Sequence, residues 1–259
     1  MTAPGPRTRL FVTADLRPGA VVTLEPGQAH YLRNVLRLAP GASAVLFNGR
    51  DGEWLARIEA LAKHDASLVA LEQRRAQEPG SDLWLCFAPV KKAAIDAIAE
   101  KATELGSAVL QPVFTDRTDV TRVNVDRLRA HAMEAAEQCE RLDVPEVRDP
   151  VPLSGLLGRW DGDRALVVCA EAGSVRPIAD AAEALKGRPA ALLVGPEGGF
   201  APSELDAFSK LPFVHAVGLG PRVLRADTAA LAALATWQAV AGDGRGRPSG
   251  RQRPGGISN

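Results

Sequence analysis

Between residues 9 and 75, short apolar runs follow one another along the chain, and polar, turn-forming stretches separate them. Several runs alternate apolar and polar residues, and Pro-Gly pairs or single glycines lie between most of them, which is typical of β-strands. The loop from Asn48 to Gly52 is expected to connect two of the strands as a hairpin. The pattern therefore predicts a small β-rich domain. Its strands are predicted over residues 9–12, 20–24, 44–47, 53–58 and 67–71.

One helix is predicted within this region, over residues 28–37. His30, Arg33 and Arg37 recur there at helical spacing, on a different side from the apolar positions that include Val35. An exposed stripe of one His and two Arg could bind phosphates. A solvated helix face accounts for the same spacing equally well.

A different pattern begins after the polar stretch 77–82, and we place a domain boundary between residues 76 and 77. Continuous apolar runs, typical of buried strands, now alternate with segments of helical periodicity as far as residue 241. This alternation predicts an α/β domain with a parallel sheet covered by helices on both faces. Residues 144–147 are expected to lead into a loop. Strands are predicted over residues 83–88, 109–113, 165–169 and 190–194, and helices over residues 93–105, 126–142, 178–185, 203–211 and 227–240.

Composition narrows the possible functions without selecting one. The 259 residues are 46% apolar and 24% charged, which is ordinary for a globular protein. Cys86, Cys139 and Cys169 are far apart and the four His are isolated, so neither a disulfide framework nor a metal site is expected. Unpaired cysteines fit the cytoplasm. The longest uncharged apolar stretch, 228–241, is shorter than the ~20 residues that span a bilayer, so no membrane association is expected.

The two ends of the chain are basic, although the formal net charge is zero. Residues 1–75 hold ten Lys/Arg and seven Asp/Glu, and residues 241–259 hold four Arg and one Asp. This distribution suits RNA contact through the ends. Residues 242–259, rich in Gly, Pro, Arg and Ser, cannot bury apolar area and are expected to form a disordered tail.

Two glycine-rich turns follow apolar runs in the last third of the chain. The first glycine turn, residues 195–200, reads Gly-Pro-Glu-Gly-Gly-Phe. The second glycine turn, residues 218–229, reads Gly-Leu-Gly-Pro-Arg-Val-Leu-Arg-Ala-Asp-Thr-Ala. Open α/β sheets bind ligands at the carboxyl ends of their strands, and glycine lets the backbone approach a ligand closely. We therefore expect the two turns to form adjacent walls of one pocket.

The common nucleotide-binding motifs do not fit these turns. Gly218 and Gly220 lack the third glycine of a dinucleotide fingerprint, and the chain has no Gly-Lys-Ser/Thr of a phosphate-binding P-loop. A nucleotide hydrolase is therefore disfavoured. A purely structural turn does not need charge, so Glu197, Arg222 and Arg225 favour a functional site.

In this order and at this spacing, the two turns resemble the cofactor-binding signature of the RsmE-type methyltransferases, which belong to the SPOUT class. The similarity covers nearly the whole chain except the last fifteen or so residues. Further segments that match family motifs are Arg9-Leu10-Phe11, His30 with Val35-Leu36-Arg37-Leu38, Phe47-Asn48-Gly49, Lys101-Ala102-Thr103-Glu104-Leu105-Gly106, and Glu134 to Arg141.

The resemblance implies a PUA-like β-barrel over residues 1–76 and a SPOUT α/β domain, tied in a trefoil knot, over residues 77–241. It implies a homodimer that uses S-adenosylmethionine to methylate N3 of one uridine in 16S rRNA of the small ribosomal subunit. The departures from the family pattern are small: Asp227 replaces a usual Glu, Ala201 a usual Ser cap, and Thr118 a usual Ser. Without a capping side chain at Ala201, Glu204 is expected to lack its capping-box partner.

The cofactor-binding residues that the resemblance implies lie mostly in the turns. Backbone groups would wrap the cofactor, and two apolar side chains would form walls. Thr228 is expected to cap the last helix and to bond the ligand, and Glu171 to reach the ribose. The turn positions are Gly195, Pro196, Gly198, Gly199, Leu219 and Gly220, with Leu224 and Ala229 as the walls.

Methylation of uridine N3 requires that its proton leaves and that the resulting charge on O2 and O4 is stabilised. Arginine suits this task because it is always charged and can donate two hydrogen bonds at once. The candidates are Arg222, Arg225, Arg117 and Arg9. The base stays open between Glu197 and bulk hydroxide. Candidate RNA contacts are Arg9, His30, Arg33, Arg37, Asn48, Lys91, Lys101, Gln138 and Arg141.

Two other functions remain possible on the sequence. A SPOUT methyltransferase that acts on another RNA, such as tRNA, would share the cofactor pocket and differ only in substrate. A non-catalytic RNA-binding assembly factor would have no need of two intact glycine turns, so cofactor binding separates it from an enzyme.

Overall fold

The computed structural model describes residues 8–63, 65–170 and 175–246. Its amino-terminal part is a five-stranded sheet in the order β1-β3-β4-β5-β2, in which only the β1–β3 pair is parallel. Apolar side chains from these strands, Leu46 and Ile58 among them, form a separate hydrophobic core. The predicted small β-rich domain is therefore confirmed. Its strands are β1 (Arg9–Phe11), β2 (Val21–Thr23), β3 (Ser43–Phe47), β4 (Glu53–Leu61) and β5 (Ala66–Arg75).

The predicted helix of this domain is interrupted. Helix α1 (Pro26–His30) passes directly into a π-helical turn, Tyr31–Val35, in which Leu36 N–H donates to the carbonyl of Tyr31 at 3.0 Å. The wider turn rotates the following side chains, so Val35 is 60% exposed and does not join the core as the helical spacing predicted. π-turns within α-helices are frequent at functional sites.

The second part of the chain is an eight-stranded sheet in the order β11-β13-β10-β12-β6-β7-β8, with β9 pairing β7, and all its pairs are parallel. The strands are β6 (Leu83–Phe87), β7 (Val109–Phe114), β8 (Glu146–Val147), β9 (Val151–Pro152), β10 (Ala165–Cys169), β11 (Arg176–Pro177), β12 (Ala190–Val194) and β13 (Val214–Gly218). The helices are α2 (Lys92–Glu104), α3 (Val125–Cys139), α4 (Leu153–Leu157), α5 (Ile178–Ala184), α6 (Pro202–Ser209) and α7 (Ala226–Val240).

Helices cover both faces of this sheet, as the sequence predicts. Successive residues of β12 point to opposite faces: Leu192 belongs to the core that residues of α2, α3, α5 and α7 share, and Leu193 belongs to the core that residues of α4 and α6 share. Asn124 accepts a hydrogen bond from the N–H of Arg127 and so caps the amino-terminal end of α3. Strands β8, β9 and β11 and helix α4 were not predicted. Each has only two to five residues, too few to show a period.

The folded chain continues beyond the end predicted for it. Asp243 N–H donates to Oε1 of Gln238, and Gly244 N–H donates to the carbonyl of Gln238, so residues 242–246 close the carboxyl end of α7. The first five residues of the predicted tail are therefore ordered. The rest of it lies outside the described residues.

Arg9 joins the two parts of the chain and is not available to a substrate. Its side chain, 9% exposed, forms an ion pair with Glu53 at 2.8 Å and donates to the carbonyls of Ala136 and Arg141 at the end of α3. Glu137 accepts a hydrogen bond from Phe11 N–H at 2.9 Å, and burial raises the pKa of its carboxyl. The expectation that Arg9 contacts RNA or the reacting uridine is therefore corrected.

Arg141 is also engaged within the protein. It donates to the carbonyls of Thr103 and Ser107, which links α3 to the end of α2, and it forms an ion pair with Asp143. Its predicted role as an RNA contact is corrected as well. The family motif from Glu134 to Arg141 therefore lies partly at the contact between the small β-rich domain and the α/β domain.

Replacing Arg9 by Met is expected to lower the free energy of unfolding by about 3 kcal/mol. Methionine keeps the apolar stem but leaves the Glu53 carboxylate with only the more distant Arg75, at 3.6 Å, and removes the guanidinium donor from two carbonyl oxygens in a buried place. Urea unfolding followed by circular dichroism measures the change. Arg50→Met is a matched control, since the Arg50–Asp15 ion pair is exposed. Equal effects of the two substitutions would contradict the structural role of Arg9.

Candidate functional site

The two glycine turns lie at the same edge of the large sheet. Strands β13, β10 and β12 are neighbours in that order, and all three end at this edge. The first glycine turn follows β12, and the second follows β13 and leads into α7. The end of β10 lies between them. The expected pair of adjacent walls is present.

A cleft of two connected cavities opens between these turns. One cavity, of about 440 Å³, is lined by the second glycine turn, and the other, of about 260 Å³, by the first. Cys169, Ala170, Leu224 and Ala229 line both cavities. The combined space falls within the size range of pockets for small organic ligands.

Glycine backbone forms much of the cleft wall. Gly199 and Gly220 have φ angles of +67° and +105°, which residues with a Cβ rarely adopt. A Cβ built on either residue meets no atom within 4 Å, so both face open space. Gly195, by contrast, packs against the ring of Phe200 at 3.1 Å from the position of a Cβ. The turns therefore offer N–H and C=O groups to a ligand without a side chain in the way.

The second turn carries two arginines that the protein itself does not use. Arg222 lines the larger cavity, and Arg225 precedes the first residue of α7. Both side chains are exposed, and neither forms a hydrogen bond or an ion pair within the described residues. Arg225 lies in the chain between two lining residues, Leu224 and Ala226. Both free guanidinium groups can bind an anionic ligand or a developing negative charge.

Thr228 does not cap α7. The residue at the cap position is Arg225, which makes no side-chain cap bond, and Thr228 is the third residue of the helix. Its N–H and hydroxyl instead face the carboxylate of Asp227, at 2.7 and 3.4 Å. The capping part of its predicted role is therefore wrong, and contact with a ligand stays a prediction.

Arg117 reaches the first glycine turn from a different part of the chain. Its guanidinium donates to the carbonyl of Gly198 at 2.9 Å, and it lines the smaller cavity. The loop that carries it is tightened by Thr118, whose hydroxyl accepts from the N–H of Thr115. The structure therefore brings Arg117, Arg222 and the two turns together around one cleft.

Glu204 stabilises this arrangement of the Arg117 loop and the first glycine turn through two hydrogen bonds. It is buried, and its carboxylate accepts one hydrogen bond from Ala201 N–H at 2.7 Å and another from Asp116 N–H at 2.9 Å. Ala201 makes no side-chain cap bond, as expected, but Glu204 still forms its own half of the capping box, which does not need a polar side chain at Ala201. The same carboxylate ties the Arg117 loop to the start of α6.

Replacing Glu204 by Ala is expected to destabilise the protein by about 2 kcal/mol, since two backbone N–H groups at a buried place lose their acceptor. Glu204→Gln keeps one acceptor oxygen and should cost about half as much. Thermal and urea unfolding of the two variants give the comparison. A loss below 0.5 kcal/mol for Glu204→Ala, the range of ordinary surface substitutions, would contradict the anchoring role.

Several lining residues were not recognised as part of the site from the sequence, Cys169 and Ala170 among them. Cys169 and Ala170 end β10 and line both cavities, and only their place after a buried strand signals this. Burial raises the pKa of the Cys169 thiol to about 12, so it acts as an apolar wall and not as a nucleophile. Glu197 lines the smaller cavity with an exposed side chain. Glu171 lies outside the described residues.

The residues predicted to contact RNA differ in whether their side chains are exposed or engaged within the protein. The side chains of Arg33, Arg37, Lys91 and Gln138 are exposed, as is His30, which bonds Asn34. Asn48 is buried and holds the hairpin: it donates to Ala14 and Asp51 and accepts from two backbone N–H groups. Its prediction as an RNA contact is therefore corrected.

Lys101 is partly exposed but paired. Its ammonium contacts the carboxylates of Glu100 and Glu104 at 2.7 and 2.8 Å, and these bonds raise its pKa. An RNA phosphate would have to compete with both. In residues 8–63, 65–170 and 175–246, no group of three or more His, Cys, Asp and Glu is placed to hold a metal ion. No helix in the same ranges combines the length and apolarity that crossing a bilayer requires.

The fold and the cleft agree with a defined class of protein. The family model described as an RNA methyltransferase domain matches residues 77–238, and the model described as an RNA methyltransferase PUA domain matches residues 24–71. The amino-terminal sheet is thus PUA-like, and the larger α/β unit is an RNA methyltransferase domain.

Individual relatives show which family of RNA methyltransferases the chain belongs to. The chain is 30% identical over 228 residues to ribosomal RNA small subunit methyltransferase E of Rickettsia conorii, covering 88% of this chain and 93% of the relative. It is 32% identical over 236 residues to the protein of the same name from Synechocystis, covering 90% and 77%. The crystal structure of ribosomal RNA small subunit methyltransferase E from Neisseria gonorrhoeae, bound to S-adenosyl methionine, superposes with a TM-score of 0.78 at 27% identity over 91% of this chain and 98% of the other. The chain belongs to the ribosomal RNA small subunit methyltransferase E family, which confirms the resemblance seen in the sequence.

Proposed function

We propose that this protein uses S-adenosylmethionine to methylate N3 of one uridine in 16S rRNA of the small ribosomal subunit. The observation that carries the proposal is the cleft between the two glycine turns. Its walls include open glycine backbone, Arg222 lines it, and Arg225 lies between two of its lining residues; neither arginine has a hydrogen-bond or ion-pair partner within the described residues. The relatives named above act on small-subunit rRNA or bind S-adenosyl methionine.

The residues of the cleft fit such a cofactor. Open positions at Gly199 and Gly220 leave room for a ligand against the backbone, and Leu224 and Ala229 supply apolar contact. Gly195, Pro196, Gly198 and Leu219 complete the proposed contacts, and Glu171 stays a proposed ribose ligand. When bound, S-adenosylmethionine supplies the electrophilic methyl group.

The protein's own contribution is orientation and charge. Arg222 and Arg225 would hold the uracil oxygens as N3 loses its proton, and they would align N3 with the methyl group. Arg117, held by Gly198 O, is placed to position the first turn and to face the substrate. Glu197 and bulk hydroxide both remain candidates for the base.

Finer features of the fold follow from the family. We propose that the α/β domain is knotted, that the chain forms a homodimer, and that it works in the cytoplasm, with a domain boundary between residues 76 and 77 and a second domain that extends to residue 246. Strand β10 lies between β12 and β13, so the chain from β12 to β13 must pass over it, which suits a knot. Val223, 83% exposed beside the cleft, suits a partner subunit at this place.

Calorimetric titration with S-adenosylhomocysteine tests the proposal first. Binding with one site per chain supports a methyltransferase, and its absence in folded protein would favour the RNA-binding assembly factor. Methyl transfer to small subunits, free 16S rRNA and tRNA, followed by mass spectrometry of the nucleosides, then identifies the substrate. Label in tRNA alone would replace the proposed substrate by the alternative one.

A further inference from the structure

A third cavity lies at the same edge of the large sheet and has no role in the site described above. It measures about 320 Å³ and lies between the start of α2, the start of α3 and the loop 115–124. Its floor is apolar, formed by Val90, Ile95, Val120, Val123 and Leu128. Lys91, Arg122, Arg127, Asn124 and Asp96 complete the lining.

Two of the three cations that line this cavity are not engaged by the protein. Asp96 accepts two hydrogen bonds from the guanidinium of Arg127, at 2.8 and 2.5 Å, which neutralises that charge. Lys91 and Arg122 have exposed side chains, and within the described ranges neither has a hydrogen bond or an ion pair. The cavity therefore carries a net charge of +2, held by two side chains free to bind an anion.

The position of the cavity connects it to the methyl-transfer cleft. The cavity lies at the start of α2, which follows β6, and β6 is the direct neighbour of β12 in the sheet. One loop also reaches both places, because Arg117 lines the cleft and Arg122, five residues later, lines the cavity. A single RNA strand that enters the cleft can therefore pass over this cavity.

The chemistry of the cavity matches one nucleotide. An apolar floor accepts a sugar or base, and cations at the rim bind the phosphate that accompanies it. The volume is at the lower end of the range for ligand pockets. An extended acidic peptide would need unpaired cations along a groove, whereas here they border one compact space.

We propose that this cavity binds a nucleotide flanking the target uridine, with Lys91 and Arg122 on its phosphate. The inference rests on the proposed function and adds a second contact that sets which part of the strand reaches the cleft. Arg122 was not among the sequence-predicted RNA contacts.

The test is the affinity of the protein for a single-stranded RNA of about twelve nucleotides that contains uridine and carries fluorescein. Fluorescence anisotropy measures this affinity between 50 and 300 mM salt, roughly the range over which phosphate contacts weaken. Lys91→Ala and Arg122→Ala should each weaken binding by about five- to tenfold and reduce the slope of log affinity against log salt by about 0.7, the value for one phosphate contact on a single strand. Lys91→Glu should weaken it further. Lys186→Ala is the control, since Lys186 is exposed in the turn that leads into β12 at the opposite edge.

Affinity for S-adenosylhomocysteine, measured on the same variants, should stay unchanged. Unaltered RNA affinity and slope in Lys91→Ala and Arg122→Ala would overturn the proposal, as would an equal loss in Lys186→Ala or a matching loss of cofactor affinity. Because phosphate contacts are independent of sequence, a wild-type protein that binds no single-stranded RNA would overturn it too. Failure of the proposed function has a different signature: the cofactor does not bind, and the RNA slopes still respond to Lys91 and Arg122.

Discussion

Arg222→Ala is expected to reduce the rate of methyl transfer to the small ribosomal subunit at least 100-fold, and Arg225→Ala is expected to do the same. Loss of one positioned donor to a developing oxyanion costs about 10²–10³ in rate. Both side chains are exposed and have no hydrogen bond or ion pair within the described residues, so their removal should change the free energy of unfolding by less than about 0.5 kcal/mol. Single-turnover transfer of a tritiated methyl group measures the rate.

Two controls separate this role from a general loss of positive charge. Arg188→Ala removes an exposed arginine from the turn before β12, at the far edge of the sheet, and should keep the wild-type rate. Arg222→Lys keeps the charge but not the paired donors, and we expect it to lose about tenfold. Wild-type turnover in both alanine variants would remove the two arginines from the mechanism.

The sequence predicts the elements of the cleft well because they are buried on both faces. Strands over residues 165–169 and 190–194 were predicted with the limits that the structure shows, since each is a continuous apolar run with a polar boundary. The rule that parallel strands present their carboxyl ends at one edge then placed the two glycine turns together. The family resemblance supplied the cofactor and the substrate, which neither pattern nor spacing contains.

Contacts between distant segments could not be predicted in this way. Arg9 binds carbonyls 127 and 132 residues away, and Glu204 binds an N–H 88 residues away. In the sequence both look like ordinary charged residues. Only the folded chain shows that their charged groups form hydrogen bonds within the protein. The π-helical turn at Tyr31–Val35 has a similar origin, because a helical period does not show where one wider turn is inserted.

Whether a side chain has partners within the protein also decides which motif residues remain candidates for function. Asn48 and Arg141 match family motifs, yet their polar groups are satisfied within the protein. Arg222, Arg225, Lys91 and Arg122 have exposed charges with no internal partner in the described structure. A motif match therefore identifies positions that the fold or the function needs, and the hydrogen-bond partners decide between the two.

Gly199→Val is expected to weaken S-adenosylhomocysteine binding at least 100-fold. The residue faces open space within the first glycine turn, so a branched side chain would extend into the volume that the cofactor needs. Its φ of +67° also disfavours valine, and relaxation of the turn would shift the backbone groups of Gly198 and Pro196 away from the ligand. Isothermal titration calorimetry on folded protein measures the affinity.

Gly187→Val is the matched control for backbone strain. Gly187 has a φ of +80° and also faces open space, but it lies in the turn between α5 and β12, at the edge of the sheet opposite the cleft. Both substitutions should therefore destabilise the fold by a similar amount, about 1–2 kcal/mol for a left-handed backbone, and only Gly199→Val should lose the cofactor. Equal affinities in the two variants would mean that the cofactor does not lie against the first turn. Arg222 and Arg225 would then have to act on a substrate held elsewhere, so the comparison tests the geometry on which the whole mechanism depends.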